Sequence, residues 1–373
     1  MKYSHRYHEL NALFNLGIDT HLTESNIDIR NFSFQSIHEL DQNENKIIFS
    51  KDGTISENSS FIYPVFLPGG TKKRDSAILL LHGLNERNWN KYLTWAEFLC
   101  IKTGKPVILF PIAFHMNRSP LSWSNPRALQ DMLNLRRQQN GEDRSLSFAN
   151  VTLSDRITKK PSRFYSSGHL SILDLSLLIE QIKVGNHILF KENTQIDIFA
   201  YSIGAFLAEI MLMTNPNNLF SESKLFLFCG GGIFSSMVGE SRCIMDKKAF
   251  ETLYEYYLFH FNKLVESDSI TNKISDSFNS MISFDRNKSE RELFFSKMRD
   301  KLKGISLEND KVMPYYGIKE ALGTNFAANH FKRMNFSFPY THENPFPVSK
   351  LIDSREVDIC FNHVFSEISE FLQ

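Results

Sequence analysis

The apolar positions along this chain change period in a regular order, and that order predicts its layers. Ala77-Ile78-Leu79-Leu80-Leu81 runs without a polar interruption, as a strand buried on both faces does. The apolar residues that follow, Trp89, Leu93, Ala96, Leu99 and Cys100, fall at helical spacing, and Gly104 then Pro106 close that helix. Pro106-Val107-Ile108-Leu109-Phe110-Pro111-Ile112 reads as a second buried strand, so the three segments predict a βαβ unit of a parallel sheet. A later strand, Ile196-Asp197-Ile198-Phe199-Ala200-Tyr201, is followed by helical spacing at Ile203, Phe206, Leu207, Ile210 and Met211. Lys224 to Cys229, Gly304 to Leu307 and Met334 to Phe338 add strands, with a short helix from Tyr316 to Leu322. The final helix has its stripe at Val357, Cys360, Phe361, Val364, Phe365, Ile368 and Phe371. Ahead of the first unit, a short helical pattern around Tyr7 to Leu16 precedes alternating segments near Ile27 to Phe34, Asn45 to Ser50 and Phe61 to Leu67. These suit antiparallel edge strands, and Pro68-Gly69-Gly70 marks the passage into the central sheet.

The pattern predicts a single α/β domain over residues 1–373, a mostly parallel sheet flanked by helices, with residues 1–67 as its lead-in. Two insertions interrupt it. Residues 113–167 are too polar and too long for a plain connection to the helix from about Gly168 to Ile182, and predict a partly helical lid. They carry Trp123, Arg127, Arg136, Arg137, Arg144 and Arg156, which either bind an anionic group or form a solvated face. Residues 234–303 predict a second helical cap, with Phe250, Leu253, Tyr254, Tyr257, Phe261 and Leu264 along one helix side, as packing or as an acyl tunnel. A further cap helix is expected to begin at the capping box Ser289-Glu290-Arg291-Glu292.

Composition narrows the partners. The 42 Lys and Arg balance the 42 Asp and Glu, so no nucleic-acid partner is expected. No apolar run reaches membrane-span length and the first residues lack a signal peptide's apolar core, which leaves a cytoplasmic location as the expectation. Cys100, Cys229, Cys243 and Cys360 are far apart with no Cys-x-x-Cys pair, and read as buried free thiols. His5 and His8 have helix-face spacing, but no Cys or carboxylate cluster completes a ligand shell; neither a metal nor a cofactor is expected.

Chemistry concentrates at Ser202, between strand and helix. A tight turn there needs small residues two positions either side, here Ala200 and Gly204, and it pushes the serine oxygen out of the sheet. The N–H of Ile203 opens the helix without an intrahelical partner and can stabilise an anion beside that oxygen. By itself such a match is common, and an ordinary solvent-facing connection is the bland alternative. A strand ending in His82-Gly83, with a strand, turn and helix around Ser202 downstream, resembles the α/β-hydrolase superfamily. The loop His82-Gly83-Leu84-Asn85-Glu86-Arg87 and the later Phe110-Pro111-Ile112-Ala113-Phe114-His115-Met116-Asn117-Arg118 resemble a little-characterised bacterial branch of it. One departure is Ala200, where glycine is commonest.

The resemblance implies an α/β-hydrolase fold and an oxyanion hole from the amides of Leu84 and Ile203. It also implies the order nucleophile, acid, histidine. Glu308-Asn309-Asp310-Lys311-Val312-Met313-Pro314 reads as the acid loop, with Asp310 the candidate and Glu308 its substitute. Among the histidines that follow, His330 precedes the last strand and His363 lies on the wetter face of the final helix. His342, in a proline-punctuated loop directly after the strand, is the catalytic candidate. Gly230-Gly231-Gly232 lacks the P-loop lysine and the GxGxxG spacing and is read as a strand-end turn. His82, Glu86 and Arg87 border the implied pocket and are candidates for substrate binding; a local ion pair shaping the loop is the alternative for the last two. The expected substrate is a small ester or acyl compound, hydrolysed through Ser202, His342 and Asp310. An acyltransferase or peptidase on the same triad, or a non-catalytic binding module on this scaffold, stays open.

Overall fold

A computed structural model describes residues 1–37, 52–70, 72–141, 143–261 and 269–373. The expected segment Asn45 to Ser50, and Leu264, lie outside the described residues. The strands are β1 (Thr20–Leu22), β2 (Ile27–Gln35), β3 (Ser60–Pro68), β4 (Arg74–Leu81), β5 (Val107–Leu109), β6 (Phe190–Tyr201), β7 (Leu225–Phe228), β8 (Leu302–Leu307) and β9 (Phe331–Met334). The helices are α1 (Tyr3–Leu13), α2 (Ser56–Ser59), α3 (Asn90–Thr103), α4 (Pro126–Asn140), α5 (Val151–Lys159), α6 (Arg163–Lys183) and α7 (Ile203–Thr214). They continue with α8 (Lys247–Glu255), α9 (Ser269–Ser280), α10 (Lys288–Lys297), α11 (Tyr315–Leu322), α12 (Thr324–His330) and α13 (Ser354–Leu372).

All the strands form one sheet in the order β1-β2-β3-β5-β4-β6-β7-β8-β9. β1, β2 and β3 pair antiparallel, β3 pairs antiparallel with β5, and every later pairing is parallel. The two-residue period of the strands sorts their side chains into two cores. Leu79, Leu81, Ile198, Ala200 and Leu227 face a core that includes residues of α6 and α7. Ile78, Leu80, Phe199, Tyr201 and Phe228 face the other, against residues of α1, α3 and α13. The mostly parallel sheet, covered on both faces and with β4 and β5 exchanged in space relative to sequence, is an α/β-hydrolase fold. Among the described residues no helix is long and apolar enough to cross a membrane.

Several expected boundaries move. The last strand is Phe331–Met334, paired with β8 from Gly304↔Phe331 to Leu307↔Met334. The alternation of Phe336 and Phe338 beyond it reflects two rings buried from a coil segment. His330 ends α12. The helix expected at Tyr7 to Leu16 starts and stops earlier, at Tyr3–Leu13. Ser289 caps nothing: α10 begins at Lys288, after Asn287 in the left-handed region at φ 47°. Of the cysteines, Cys100 and Cys229 are buried but Cys243 is exposed and Cys360 half-buried, the first in a turn and the second at the edge of the α13 stripe.

Candidate active site

Parallel strands deliver their chemistry at their carboxyl ends. β4 ends at His82-Gly83-Leu84, β6 at Ser202, β8 leads to Asp310, and the chain after β9 brings back His342. Ser202 has φ 58° and ψ −125°, a backbone that L-residues rarely adopt and that the surrounding packing must enforce. Gly204 shows the constraint: a Cβ there would stand 2.7 Å from the carbonyl oxygens of both Leu81 and His82. Gly230 backs the same turn, since its Cβ would stand 2.4 Å from that of Ala205. Of the glycine run after β7, Gly230 packs closely against the Ser202 turn, while Gly231 faces Leu227 and Phe331 and Gly232 faces Gly317. Gly204→Ala is expected to push α7 off the sheet, to cost about 1–3 kcal/mol of stability and to move the Ile203 amide. A lowered melting midpoint together with slower covalent labelling of Ser202 would record both effects.

Three distant side chains meet beside this turn. Ser202 Oγ lies 2.6 Å from His342 Nε2. His342 Nδ1 lies 2.8 Å from Asp310 Oδ2. The other carboxylate oxygen of Asp310 accepts the amides of Val312 at 2.9 Å and Met313 at 2.8 Å. All three side chains are buried, Ser202 at 3% exposure. Tyr201 donates its hydroxyl to the His342 carbonyl and stacks on the imidazole at 5.7 Å, fixing the loop that carries it. Glu308 is elsewhere, half exposed and 3.4 Å from Arg333. His363 pairs on the surface with Glu367, and the His330 ring stacks on Phe326.

Leu84 and Ile203 line the cavity that contains Ser202, a space of about 390 Å³. Among the described residues neither amide has a protein acceptor. A Cβ on Gly83 would stand 3.4 Å from that of Ser202, so the loop after β4 presses directly on the turn. Phe250 and Leu253 of α8 line the same cavity, while Tyr257 and Phe261 of the same aromatic face are buried in the core. A larger cavity of about 1050 Å³ adjoins it, and Leu84, Phe164, Ile203 and Met245 line both.

The three proposed substrate binders part company. Glu86 and Arg87 line the larger cavity, but Glu86 is held by Lys91 at 2.5 Å and accepts the Tyr92 hydroxyl at 3.0 Å. Tyr92 in turn accepts the Gly83 amide at 2.9 Å, and Lys91 donates to the Glu343 carbonyl at 2.8 Å. This chain of bonds ties the loop after β4 to the loop of His342. For Glu86 this matches the alternative of a local ion pair shaping the loop, with Lys91 as its partner; the bonds through Tyr92 and to the His342 loop leave no mark in the sequence, because Lys91 and Tyr92 read only as helix residues. His82 does not face a cavity: it is fully buried, its Nε2 accepts the Ile112 amide at 2.9 Å, and its Nδ1–H therefore donates to the Gly83 carbonyl at 2.8 Å. It pins one strand-end loop to the other.

His115, buried beside His82, lines the larger cavity, and both rings stay neutral. Burial pushes His82 well below its ordinary range, and His115 down to about 4 with Arg87, Arg118 and Arg156 adding to the effect. The unfolded chain takes up these protons near pH 6.5 and the folded chain does not. Stability is therefore expected to fall as pH drops from about 6.5 toward 4, by on the order of 3 kcal/mol for His115. Melting midpoints measured across that window, flatter in His115→Gln than in the native chain, would check it.

Of the insertion arginines, Arg127, Arg137 and Arg144 are exposed, Arg136 is buried on Asp246, and Arg156 lies 3.1 Å from Asp52 and 4.1 Å from the Trp123 ring.

No curated protein matches this chain. Among solved structures it is similar to a cold-adapted esterase from an Arctic intertidal metagenomic library, at 11% identity over 96% of this chain and 98% of that one, with a TM-score of 0.42. Carboxyl esterase 2 of the fungus Tuber melanosporum is similar at 7% identity, 99% and 98% coverage and a TM-score of 0.45. A hyperthermophilic esterase of the archaeon Pyrobaculum calidifontis gives 10% identity, 99% and 88% coverage and a TM-score of 0.40. These likenesses are loose, and nothing of the neighbours' activity transfers with them. Over residues 1–373 the chain matches the sequence model of a family of unknown function (DUF6051), and it belongs to that family.

Proposed function

We propose that this protein is a serine hydrolase that cleaves a carboxylic ester or related acyl bond of a small molecule. The observation that carries the reading is the unbroken relay from Ser202 through His342 to Asp310, with heavy-atom separations of 2.6 and 2.8 Å. In this reading His342 Nε2 takes the proton from Ser202 as its oxygen attacks the carbonyl. Asp310 holds the Nδ1–H tautomer and stabilises the imidazolium. The amides of Leu84 and Ile203 hold the developing oxyanion, and such donors are worth about 3 kcal/mol each. Protonated His342 then releases the alcohol, and water activated by the same imidazole frees the acid from Ser202. Residues 113–167 and 234–303 serve as lid and cap, supplying part of the walls of both cavities.

Fluorophosphonate labelling tests the reading. The native chain is expected to carry one adduct, on Ser202, and to hydrolyse members of an ester panel graded in acyl length. A folded native chain that takes up no probe and cleaves no ester would leave a binding module as the better account.

A further inference from the structure

Leu84 is held in place from both sides by its neighbours in the loop after β4. On one side His82 Nδ1–H donates to the Gly83 carbonyl at 2.8 Å, and the Gly83 amide donates to the Tyr92 hydroxyl at 2.9 Å. The Gly83 carbonyl and the Leu84 N–H belong to one planar trans peptide, so a bond that holds the first turns the second to the opposite side. On the other side stands Asn85, at φ 60° in the left-handed region that asparagine tolerates better than most residues. Its side-chain nitrogen donates to the Ala149 carbonyl at 2.8 Å and to the Cys243 carbonyl at 2.7 Å, and its oxygen accepts from Arg87 at 3.3 Å. Ala149 belongs to the first insertion and Cys243 to the second. The two insertions meet again beside this point, where the side chain of Asn150 donates to the Ser241 carbonyl at 2.9 Å. Ile244 and Met245, directly after Cys243, line the cavity that contains Ser202. One amide group thus ties the residue after Leu84 to both coverings of the site.

A turn at φ 60° needs only a residue that accepts that region, and glycine would serve it at least as well. What asparagine adds is a pair of donors, one spent on each insertion. We propose that Asn85 is a positioning residue of the oxyanion hole: through these two bonds the lid and the cap hold the Leu84 amide where the negative charge develops, so the hole is complete only when both are seated. A displacement of such a donor by about 1 Å is enough to cost on the order of a hundredfold in rate. This inference rests on the serine-hydrolase reading and adds to it what holds the second oxyanion donor.

The test separates affinity for the tetrahedral state from affinity for the ground state, using two ketones that protect Ser202 from fluorophosphonate. Octylthio trifluoropropanone takes Ser202 Oγ onto its carbonyl carbon; the serine proton passes to His342 and the negative charge to the former carbonyl oxygen, which then needs the hole. Octylthio propanone has the same skeleton and fills the pocket with its carbonyl largely unreacted. Asn85→Asp changes one atom and sets oxygens against two carbonyls. In it Ki for the trifluoromethyl ketone is expected to rise about tenfold to a hundredfold, while Ki for the methyl ketone stays within about twofold. Asn85→Gly keeps the left-handed backbone and drops the bonds, and is expected to move the same way by a smaller factor. A Ki reports only molecules able to bind, so a lower folded fraction leaves it unchanged, and the glycine variant carries the test if the aspartate variant fails to fold. Equal rises for both ketones would make Asn85 a pocket residue and overturn the proposal. Native values for both ketones in Asn85→Gly would overturn it too, since the backbone alone would then suffice. So would a native chain that binds the two ketones alike although fluorophosphonate labels Ser202; in all three cases the labelling spares the hydrolase reading. A native chain that takes up neither the trifluoromethyl ketone nor fluorophosphonate would bring down both.

Discussion

Ser202→Ala and His342→Ala are each expected to lower kcat on any ester the protein cleaves by about five to six orders of magnitude, and the double variant is expected to lose no more than either single one. The two side chains act as one unit: without the imidazole the hydroxyl keeps its proton, and without the hydroxyl the imidazole has nothing to activate. What survives is the stabilisation by the Leu84 and Ile203 amides and by substrate binding, typically about a thousand- to ten-thousandfold over water. Folding is a weak objection to this experiment. Ser202→Ala removes one hydrogen bond and one atom from a buried turn whose backbone is held by Gly204 and Gly230, which places the stability change near 1 kcal/mol. Steady-state kinetics beside a melting curve separates the two quantities. Wild-type turnover in Ser202→Ala would end the assignment, and additive losses in the double variant would mean that the residues serve separate steps.

What could be read from the sequence follows a physical rule. Strands buried on both faces announce themselves as apolar runs, and the buried halves of β4 and β6 and the whole of β7 are legible for that reason, whereas β6 begins six residues before its apolar run, at Phe190, and β8 two residues before the expected Gly304. The turn at Ser202 was legible because its geometry demands small residues at fixed offsets, and a Cβ at Gly204 does collide with backbone. Asp310 and His342 were candidates from the order that the resemblance implies, and the structure brings both side chains beside Ser202. Where the sequence misled, apolar side chains were buried by something other than regular structure: Phe336 and Phe338 alternate like a strand but pack from a coil. His82 was misassigned because a buried acceptor and a substrate ligand look alike in sequence. Its partners, the Ile112 amide and the Gly83 carbonyl, are backbone atoms that leave no mark on residue identity. The bonds through Tyr92, Glu86 and Lys91, and the sharing of Asp52 by two arginines about a hundred positions away, depend on distances between segments that no local pattern encodes.

Asp310→Asn is expected to lower kcat about ten-thousandfold while leaving the fold in place. The carboxylate faces donors only: the amides of Val312 and Met313 on one oxygen and His342 Nδ1–H on the other. An asparagine can satisfy the two amides only by keeping its carbonyl oxygen on their side, which turns its NH2 toward His342. Nδ1 must then accept, so the imidazole proton moves to Nε2 and points at Ser202 Oγ, where it can no longer receive the serine's proton. The opposite orientation sets the NH2 against two amide N–H groups and leaves both without an acceptor, a cost of about 1–3 kcal/mol for each buried donor. The first orientation disables the base and the second is disfavoured by its two unpaired donors, so a change of one atom removes the base with shape and volume kept. Glu308→Gln is the matched control: that side chain is half exposed on Arg333, and its variant is expected to stay within about twofold of native turnover. If Asp310→Asn kept kcat within tenfold of the native chain while Glu308→Gln lost it, the orienting acid would be Glu308, and the loop after β8 would have to rearrange to bring it to His342.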